Sequence, residues 1–583
     1  MSDNTLENNK KINRRAFVRN TVLLSGSVAL LPSLLTSCKD DNDEPGITYT
    51  GNFGFREGVA SFDPSATNVI IWTRYTNADN ETGDANLRWE VAEANTFATL
   101  VASGTATVGP ATDYTAVVDV PGLAANKKYY YRFRSERTKA ESVVGETKTL
   151  PTGAQASSVK LAVVSCANFQ AGLFNVYGAV AASDADAVVH LGDYIYEYGA
   201  GGYGTNPATA SLNRAHLPAT EILSLSDYRT RYRQYRSDKQ LQRAHQLKPF
   251  ICVWDDHEYT NDAYTTGAEN HQPATEGTFE DRRRAANQAW FEYLPARVAD
   301  KTKIYRRFEF GNLVNLLMLD TRIVGRDKQL SLGSYFTGPN NSFNVTAFGQ
   351  AWRNPDRSLL GNDQRTWLAS ALGSSSANWQ VLGSQVLMGK MYIPVELLPI
   401  VARLAAGPTP ALLAEYSTLA TELSAIKVRV LRNDPTLTAT ERARVTTVLP
   451  YNLDAWDGYP AERDKVYAAA GSKKLISLAG DTHNAWHNDL TAASGQRVGA
   501  EFACPSVSSP GFEGLLAGNA TAIQGFEQSN QLLIDDLQYL DASKRGYVLA
   551  TFTTTNATAE YRYVAGLDTE NATATTGKTV VEA

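Results

Sequence analysis

Four short segments of this chain carry residues able to hold cations or move protons, and each follows directly on an apolar run. Leu191-Gly192-Asp193-Tyr194-Ile195-Tyr196-Glu197 sets an aspartate at a glycine turn, where its two oxygens can bridge two cations, the arrangement a two-metal hydrolase needs. An aspartate capping the next helix would read the same way. Trp254-Asp255-Asp256-His257-Glu258 places three carboxylates beside an apolar strand end. Such groups repel and are costly to bury without compensation, so they point to a cation more than to a salt bridge. Gly480-Asp481-Thr482-His483 offers one oxygen and one imidazole on the same side of an extended segment. Ser165-Cys166-Ala167-Asn168 adds a thiol, although a free cysteine taken alone is more often a small buried hydrophobe.

Four apolar runs, at 159–165, 187–191, 250–253 and 475–479, lead into these segments, with helical patterns between them. That alternation predicts an α/β unit whose strands are buried on both faces, and ligands of such sheets gather at the carboxyl ends of the strands. Four strands ending this way would aim their side chains at one crevice. Residues 48–151 instead run in short β-rich segments with turn signals between them, which predicts an N-terminal antiparallel β-sandwich domain ahead of a catalytic domain over 158–575. Residues 394–448 are rich in Leu, Ala, Glu and Arg and read as a helical insertion near the site, a candidate lid. Alternation at 546–563 predicts two closing strands, and the last dozen residues read as frayed.

With 583 residues, 55 basic against 61 acidic, and no long basic run, the chain is too large for a single core and has no expected nucleic-acid-binding surface. A small anionic substrate would need metal ions or a few arginines. The series Tyr228, Arg229, Arg231, Tyr232, Arg233, Tyr235, Arg236 has helical spacing and predicts tyrosines packed inward with arginines solvated. Arg322 reads either as a bidentate phosphate binder or as a structural partner of Asp320, His190 as a core histidine, and Cys252 as structural. Four scattered cysteines do not make a disulfide framework. Upstream, Lys10, Lys11, Arg14, Arg15 and Arg19 precede an apolar stretch at 21–35, too short and too broken by Pro32 to span a bilayer. That order predicts an export signal over 1–37, and Arg14-Arg15 with Phe17 resembles the twin-arginine type. Leu35-Thr36-Ser37-Cys38 resembles a bacterial lipobox, followed by an acidic tether over 38–47. The expectation is an exported bacterial lipoprotein held to a membrane by lipid on Cys38, in the periplasm, on the outer membrane or at the cell surface, and acting as a monomer.

Gly192-Asp193-Tyr194-Ile195-Tyr196-Glu197, Trp254-Asp255-Asp256-His257-Glu258 and Gly480-Asp481-Thr482-His483, with Ser165-Cys166 upstream, closely resemble the PhoD-type alkaline phosphatases, a branch of the calcineurin-like metallophosphoesterases. Gly58-Val59-Ala60-Ser61-Phe62-Asp63-Pro64 with Ile71-Trp72-Thr73-Arg74 is similar to that family's N-terminal β domain, and Arg545-Gly546-Tyr547-Val548 to its C-terminal end. The resemblance spans about residues 48 to 570 and implies the superfamily's αββα sandwich. It implies a ferric ion held by Cys166 and Tyr196, Asp193 as a bridge, Asp481 and His483 completing the site, and Asp256 near a calcium ion. A thiolate and a phenolate suit Fe3+, and carboxylates suit Ca2+; a zinc-only site is the alternative, with Tyr196 idle. The implied activity is hydrolysis of a small phosphate ester, monoester and also diester, by a water that the cations acidify. His257 would give a hydrogen bond or proton to the leaving group, or else orient a ligand from behind. The competing readings are a phosphodiesterase of phospholipase D type and a surface lipoprotein that binds without catalysis.

Overall fold

The computed structural model describes residues 54–76, 83–338 and 342–583. The signal segment, Cys38 and the acidic tether lie outside the described residues. Two large sheets carry the fold. From edge to edge the nine-stranded sheet runs Ala574–Glu582, Ala557–Val564, Gly546–Thr553, Ser158–Val164, Ala187–His190, Pro249–Cys252, Val59–Phe62, Val69–Arg74 and Thr115–Val120. The seven-stranded sheet runs Arg306–Phe310, Val314–Met318, Trp379–Gly383, Lys474–Ala479, Arg497–Ala503, Ala485–Thr491 and Leu537–Asp541. Central strands of each are parallel to their neighbours.

The alternation of side chains along a strand assigns each face. Val314, Leu316 and Met318, with Ile476 and Leu478, join Leu161, Val163 and Val189 in one core between the sheets. Leu317, Leu319, Leu382 and Leu475 point the other way, into a second core under the outer helices. The helices Asn175–Ala182, Leu225–Arg236, Lys239–Leu247 and Phe279–Tyr293 contribute to the first core, and Gly361–Ser374 and Pro460–Ala470 to the second, which gives the αββα layering.

The N-terminal β region is joined to this sandwich edge to edge. Val59–Phe62 pairs in parallel with Pro249–Cys252, in the register Ser61 opposite Pro249 and Phe62 opposite Phe250. Its alternate residues Ala60, Phe62, Ile70 and Trp72 enter the main core. Val59, Val69 and Ile71 face the other way and pack with Leu87, Val91, Tyr131 and Phe133 of a four-stranded sheet, forming a small sandwich core. Period-2 patterning reveals such strands but not which foreign edge they complete.

The segment 394–448 leaves the catalytic unit through an antiparallel ribbon, Tyr392–Pro394 against Val448–Pro450. It holds the helices Leu398–Ala406, Pro410–Leu431 and Ala439–Thr446. Thr409 caps the second with Pro410 in its first turn, and Thr438 with Glu441 forms a capping box on the third.

Two expectations are corrected. The chain end is not frayed: Ala574–Glu582 forms an edge strand against Ala557–Val564, because ladder hydrogen bonds and β-branched residues hold an edge strand that buries little apolar surface. The arginines of Leu225–Arg236 are not solvated either. Tyr228, Tyr232 and Tyr235 are buried, but so are Arg231, Arg233 and Arg236. Arg231 donates to the carbonyls of Tyr196, Leu217 and Pro218, Arg233 pairs with Asp113 at 2.6 Å, and Arg236 lies 4.3 Å over the Trp72 ring. The helix is covered on both sides, and arginine satisfies buried carbonyls there.

Candidate active site

The four apolar runs are strands, and their carboxyl ends converge, but from two sheets. Ser158–Val164, Ala187–His190 and Pro249–Cys252 lie side by side in the larger sheet, while Lys474–Ala479 belongs to the facing one. Cys166, Asp193, Asp481 and His483 all take left-handed backbone conformations, with φ of 61°, 55°, 67° and 65°, as the chain turns sharply to face the crevice. Gly192, at φ 104°, is required. A Cβ there would lie 2.4 Å from both the nitrogen and the Cβ of Asp255, so only glycine lets the two loops touch. Buried Glu258 ties them together, accepting from the backbone N–H groups of Asp193 at 3.0 Å, Tyr194 at 2.7 Å and Asp255 at 2.8 Å.

The seven residues assigned to the site from sequence, Cys166, Asp193, Tyr196, Asp256, His257, Asp481 and His483, meet here. Three groups place their ligand atoms within 4.8 Å of one another: Cys166, Asp193 and His483; Asp193, Asp256 and His257; and Asp255, Asp256 and Asp481. Asp193 and Asp256 are each shared by two groups, so the groups form a continuous chain. Tyr196 sits on the first, donating its hydroxyl to Asp193 at 2.9 Å with His483 Nε2 3.1 Å away, while Ser509 donates to the Tyr196 oxygen at 2.7 Å. His483 Nδ1 donates to the Pro510 carbonyl at 2.8 Å, which leaves Nε2 as the nitrogen with a lone pair toward Tyr196 and Asp193.

His257 is held as firmly. Its Nδ1 donates to Glu197 at 2.7 Å, and its ring lies 4.1 Å, centroid to centroid, from that of Tyr196. Glu197 is fully buried and accepts also from Asn261 N at 2.9 Å and Asn270 Nδ2 at 2.7 Å. Burial alone would raise its pKa; facing His257 and these donors, the carboxyl is instead drawn down to about 2.

Arg322 departs from both roles read in the sequence. Its guanidinium does not pair with Asp320, whose oxygens accept from the backbone N–H of Arg322 and from Trp254 Nε1. It lies fully buried among site aspartates, donating to Asp255, to Asp454 at 2.8 Å and to Asp481 at 3.0 Å. Nε and both terminal nitrogens are engaged, so Arg322 positions carboxylates and is not placed to clasp a phosphate. Asp454, Asp255, Glu197 and Tyr203, whose hydroxyl lies 2.9 Å from His483 Nδ1 and donates to the Pro510 carbonyl, were not assigned from sequence. Asp255 and Glu197 stood inside the quoted motifs, but Asp454 lies outside any motif, in the irregular stretch between the short strand Val448–Pro450 and the helix Pro460–Ala470.

The donor set fits cations. Burial raises the Asp193 and Asp255 carboxyls, the Cys166 thiol and the Tyr196 phenol, with neighbouring carboxylates adding to it, so the charged forms of these ligands are costly in the bare site. Asp255 Oδ2 and Asp256 Oδ1 are buried with no hydrogen bond. Arg322, Arg326 and His257 do not balance Asp193, Asp255, Asp256, Asp454, Asp481, Glu197 and Glu258. Bound cations would reverse these preferences and supply the missing charge. A cavity of about 400 Å³ opens beside the cluster, lined by Asp193, His257, Asp481 and His483 and by residues of the helical insertion.

Known proteins resemble this chain over most of its length. Residues 161–561 match the family described as PhoD-like phosphatase, and residues 42–151 match PhoD-like phosphatase, N-terminal domain. Alkaline phosphatase D of Bacillus subtilis (strain 168) is 32% identical over 575 residues, covering 95% of this chain and 85% of that relative. A solved structure of PhoD superposes with a TM-score of 0.70 at 30% identity, covering 91% of this chain and 90% of the other.

Proposed function

Since this chain belongs to the PhoD-like phosphatase family and is a metal-dependent phosphatase acting on small phosphate esters, we propose which residues hold the metals and which do the chemistry. Cys166, Tyr196, Asp193 and His483 would hold a ferric ion, and Asp256 and Asp481, with Asp255, would hold calcium, with Asp193 serving both. The observation that carries this reading is the sharing of Asp193 and Asp256 between adjoining ligand groups. A thiolate and phenolate at one end suit a trivalent transition metal, and the all-carboxylate end suits a hard cation.

Such cations supply charge to the phosphoryl oxygens and acidify an attacking water. The chain's own residues do the rest. His257, with Nδ1 fixed by Glu197, presents Nε2 for a proton or hydrogen bond to the leaving oxygen. Arg322 keeps Asp255 and Asp481 at their spacing, and Glu258 locks the loops that carry Asp193 and Asp255.

Elemental analysis and visible absorption of the purified protein test the metal assignment. Iron and calcium in stoichiometric amounts, with a visible band that Tyr196→Phe shifts or abolishes, support it. A colourless, fully active zinc protein overturns it. We also propose that the chain is exported as a monomeric lipoprotein, on the strength of Arg14-Arg15, the apolar stretch at 21–35 and the lipobox ending at Cys38. Cys38→Ser should release it from the membrane fraction, and an unchanged membrane fraction would refute the anchor.

A further inference from the structure

We propose that the cavity beside the catalytic carboxylates binds an apolar leaving group, so that the preferred substrates are phosphate esters of apolar alcohols, and not of glycerol or sugars. The inference rests on the phosphatase reading above and extends it to the substrate class.

The cavity, at about 400 Å³, has the size of sites that take a whole small molecule and exceeds what a phosphoryl group fills. Its two ends differ in chemistry. At one stand Asp193, His257, Asp481 and His483. The other wall is built by two segments far apart in sequence: Leu398, Val401 and Leu404 from the first helix of the insertion, and Phe512, Leu515 and Phe526 from the region after the last site strand. Val401, Phe512, Leu515 and Phe526 remain partly exposed there, a cost that an apolar occupant would remove.

The polar groups on that wall are engaged with one another. Asn530 donates to the Phe526 carbonyl at 2.8 Å and to the Tyr416 hydroxyl at 3.3 Å, so this wall itself offers a sugar or glycerol hydroxyl little, while Gln329 Oε1, elsewhere in the lining, is buried with no hydrogen bond. Among the described lining residues there is no lysine or arginine, so a second phosphate, as in a nucleoside diphosphate, would find no cationic side chain. The phosphate end and the apolar end share one cavity, so a single ester can occupy both.

The test is phosphate release by the metal-loaded protein from straight-chain alkyl phosphates, ethyl to hexyl, with glycerol phosphate and nitrophenyl phosphate alongside. Alcohol leaving ability changes little along the alkyl series, so a trend reports binding. Burying one methylene is worth about 0.8 kcal/mol, about fourfold per carbon. The expected result is a rise in kcat/KM of at least about tenfold from ethyl to hexyl, with glycerol phosphate near ethyl phosphate. Val401→Ser and Val401→Asp should each flatten the rise from ethyl to hexyl phosphate, Asp more than Ser, with circular dichroism and the unfolding temperature of each variant showing that it folds. A flat wild-type series, or glycerol phosphate cleaved as well as hexyl phosphate, overturns the apolar site and leaves the phosphatase reading standing. Failure to cleave any ester, nitrophenyl phosphate included, overturns that reading and this inference with it.

Discussion

Glu197→Gln isolates the contribution of His257 without touching a proposed metal ligand. The glutamine keeps an oxygen that can accept from Asn261 N and Asn270 Nδ2, as Glu197 does at 2.9 and 2.7 Å. Its amide then meets His257 Nδ1 at the position where Glu197 now accepts at 2.7 Å. Two donors facing each other force the imidazole proton to Nε2 or turn the ring, and in both cases the anionic support of an imidazolium is gone. A hydrogen bond to a charged group is worth about 1.5–3 kcal/mol, which corresponds to about 10–100-fold in rate and agrees with the usual cost of removing a residue that orients a catalytic group. The assay compares an alkyl phosphate, whose alkoxide needs a proton to leave, with nitrophenyl phosphate, whose phenolate leaves without one. The expected outcome is a roughly 10–100-fold lower kcat on the alkyl ester and a much smaller loss on the nitrophenyl ester, with the unfolding temperature nearly unchanged. Equal losses on both esters would refute proton donation by His257, and no loss on either would show that the pair is irrelevant to turnover.

Gly192→Ala should abolish turnover, because its Cβ would displace the Asp255 loop; wild-type activity in a folded variant would contradict the close approach. Arg322→Met should destabilise the metal-free protein by about 3–5 kcal/mol in chemical unfolding, by leaving buried aspartates without their cation, and added calcium should recover part of the loss. Asp113 supplies a pH dependence remote from the metals. Burial would raise its pKa, but Arg74 and Arg233 outweigh burial and bring it from the ordinary 3.8 to about 2. A lowered folded pKa gives stability that is fully present above pH 3.8 and lost as pH falls toward 2, amounting to about 2 kcal/mol. Denaturant midpoints followed over that window should fall less steeply in Asp113→Asn than in the wild type, and identical slopes would refute the assignment.

Much of the site was legible because its chemistry is local. Gly192-Asp193, Asp255-Asp256-His257 and Asp481-Thr482-His483 each follow a strand whose apolar run marks it, and carboxylates at a buried strand end are costly without a partner. That those strands belong to two facing sheets was not legible, since periodicity fixes which face a side chain takes but not which sheet the strand joins. Arg322 and Asp454 were beyond reach for the same reason: their pairing spans 132 positions and joins a loop after one strand to an irregular stretch before a helix. The buried arginines of Leu225–Arg236 show the limit of amphipathic reasoning, because a helix covered on two sides hides charges wherever carbonyls and carboxylates await them. The terminal strand was missed because an edge strand is held by its backbone and needs little apolar patterning.

The most direct test of the central claim, that the shared carboxylates assemble a metal-dependent phosphoesterase, is hydrolysis of a nitrophenyl phosphomonoester and the matching bis-ester by the purified protein, before and after chelation, beside Asp193→Ala. Turnover of at least one ester that chelator abolishes, metal restores and Asp193→Ala lacks is the expected result. Turnover that survives both chelation and the loss of Asp193 would contradict it.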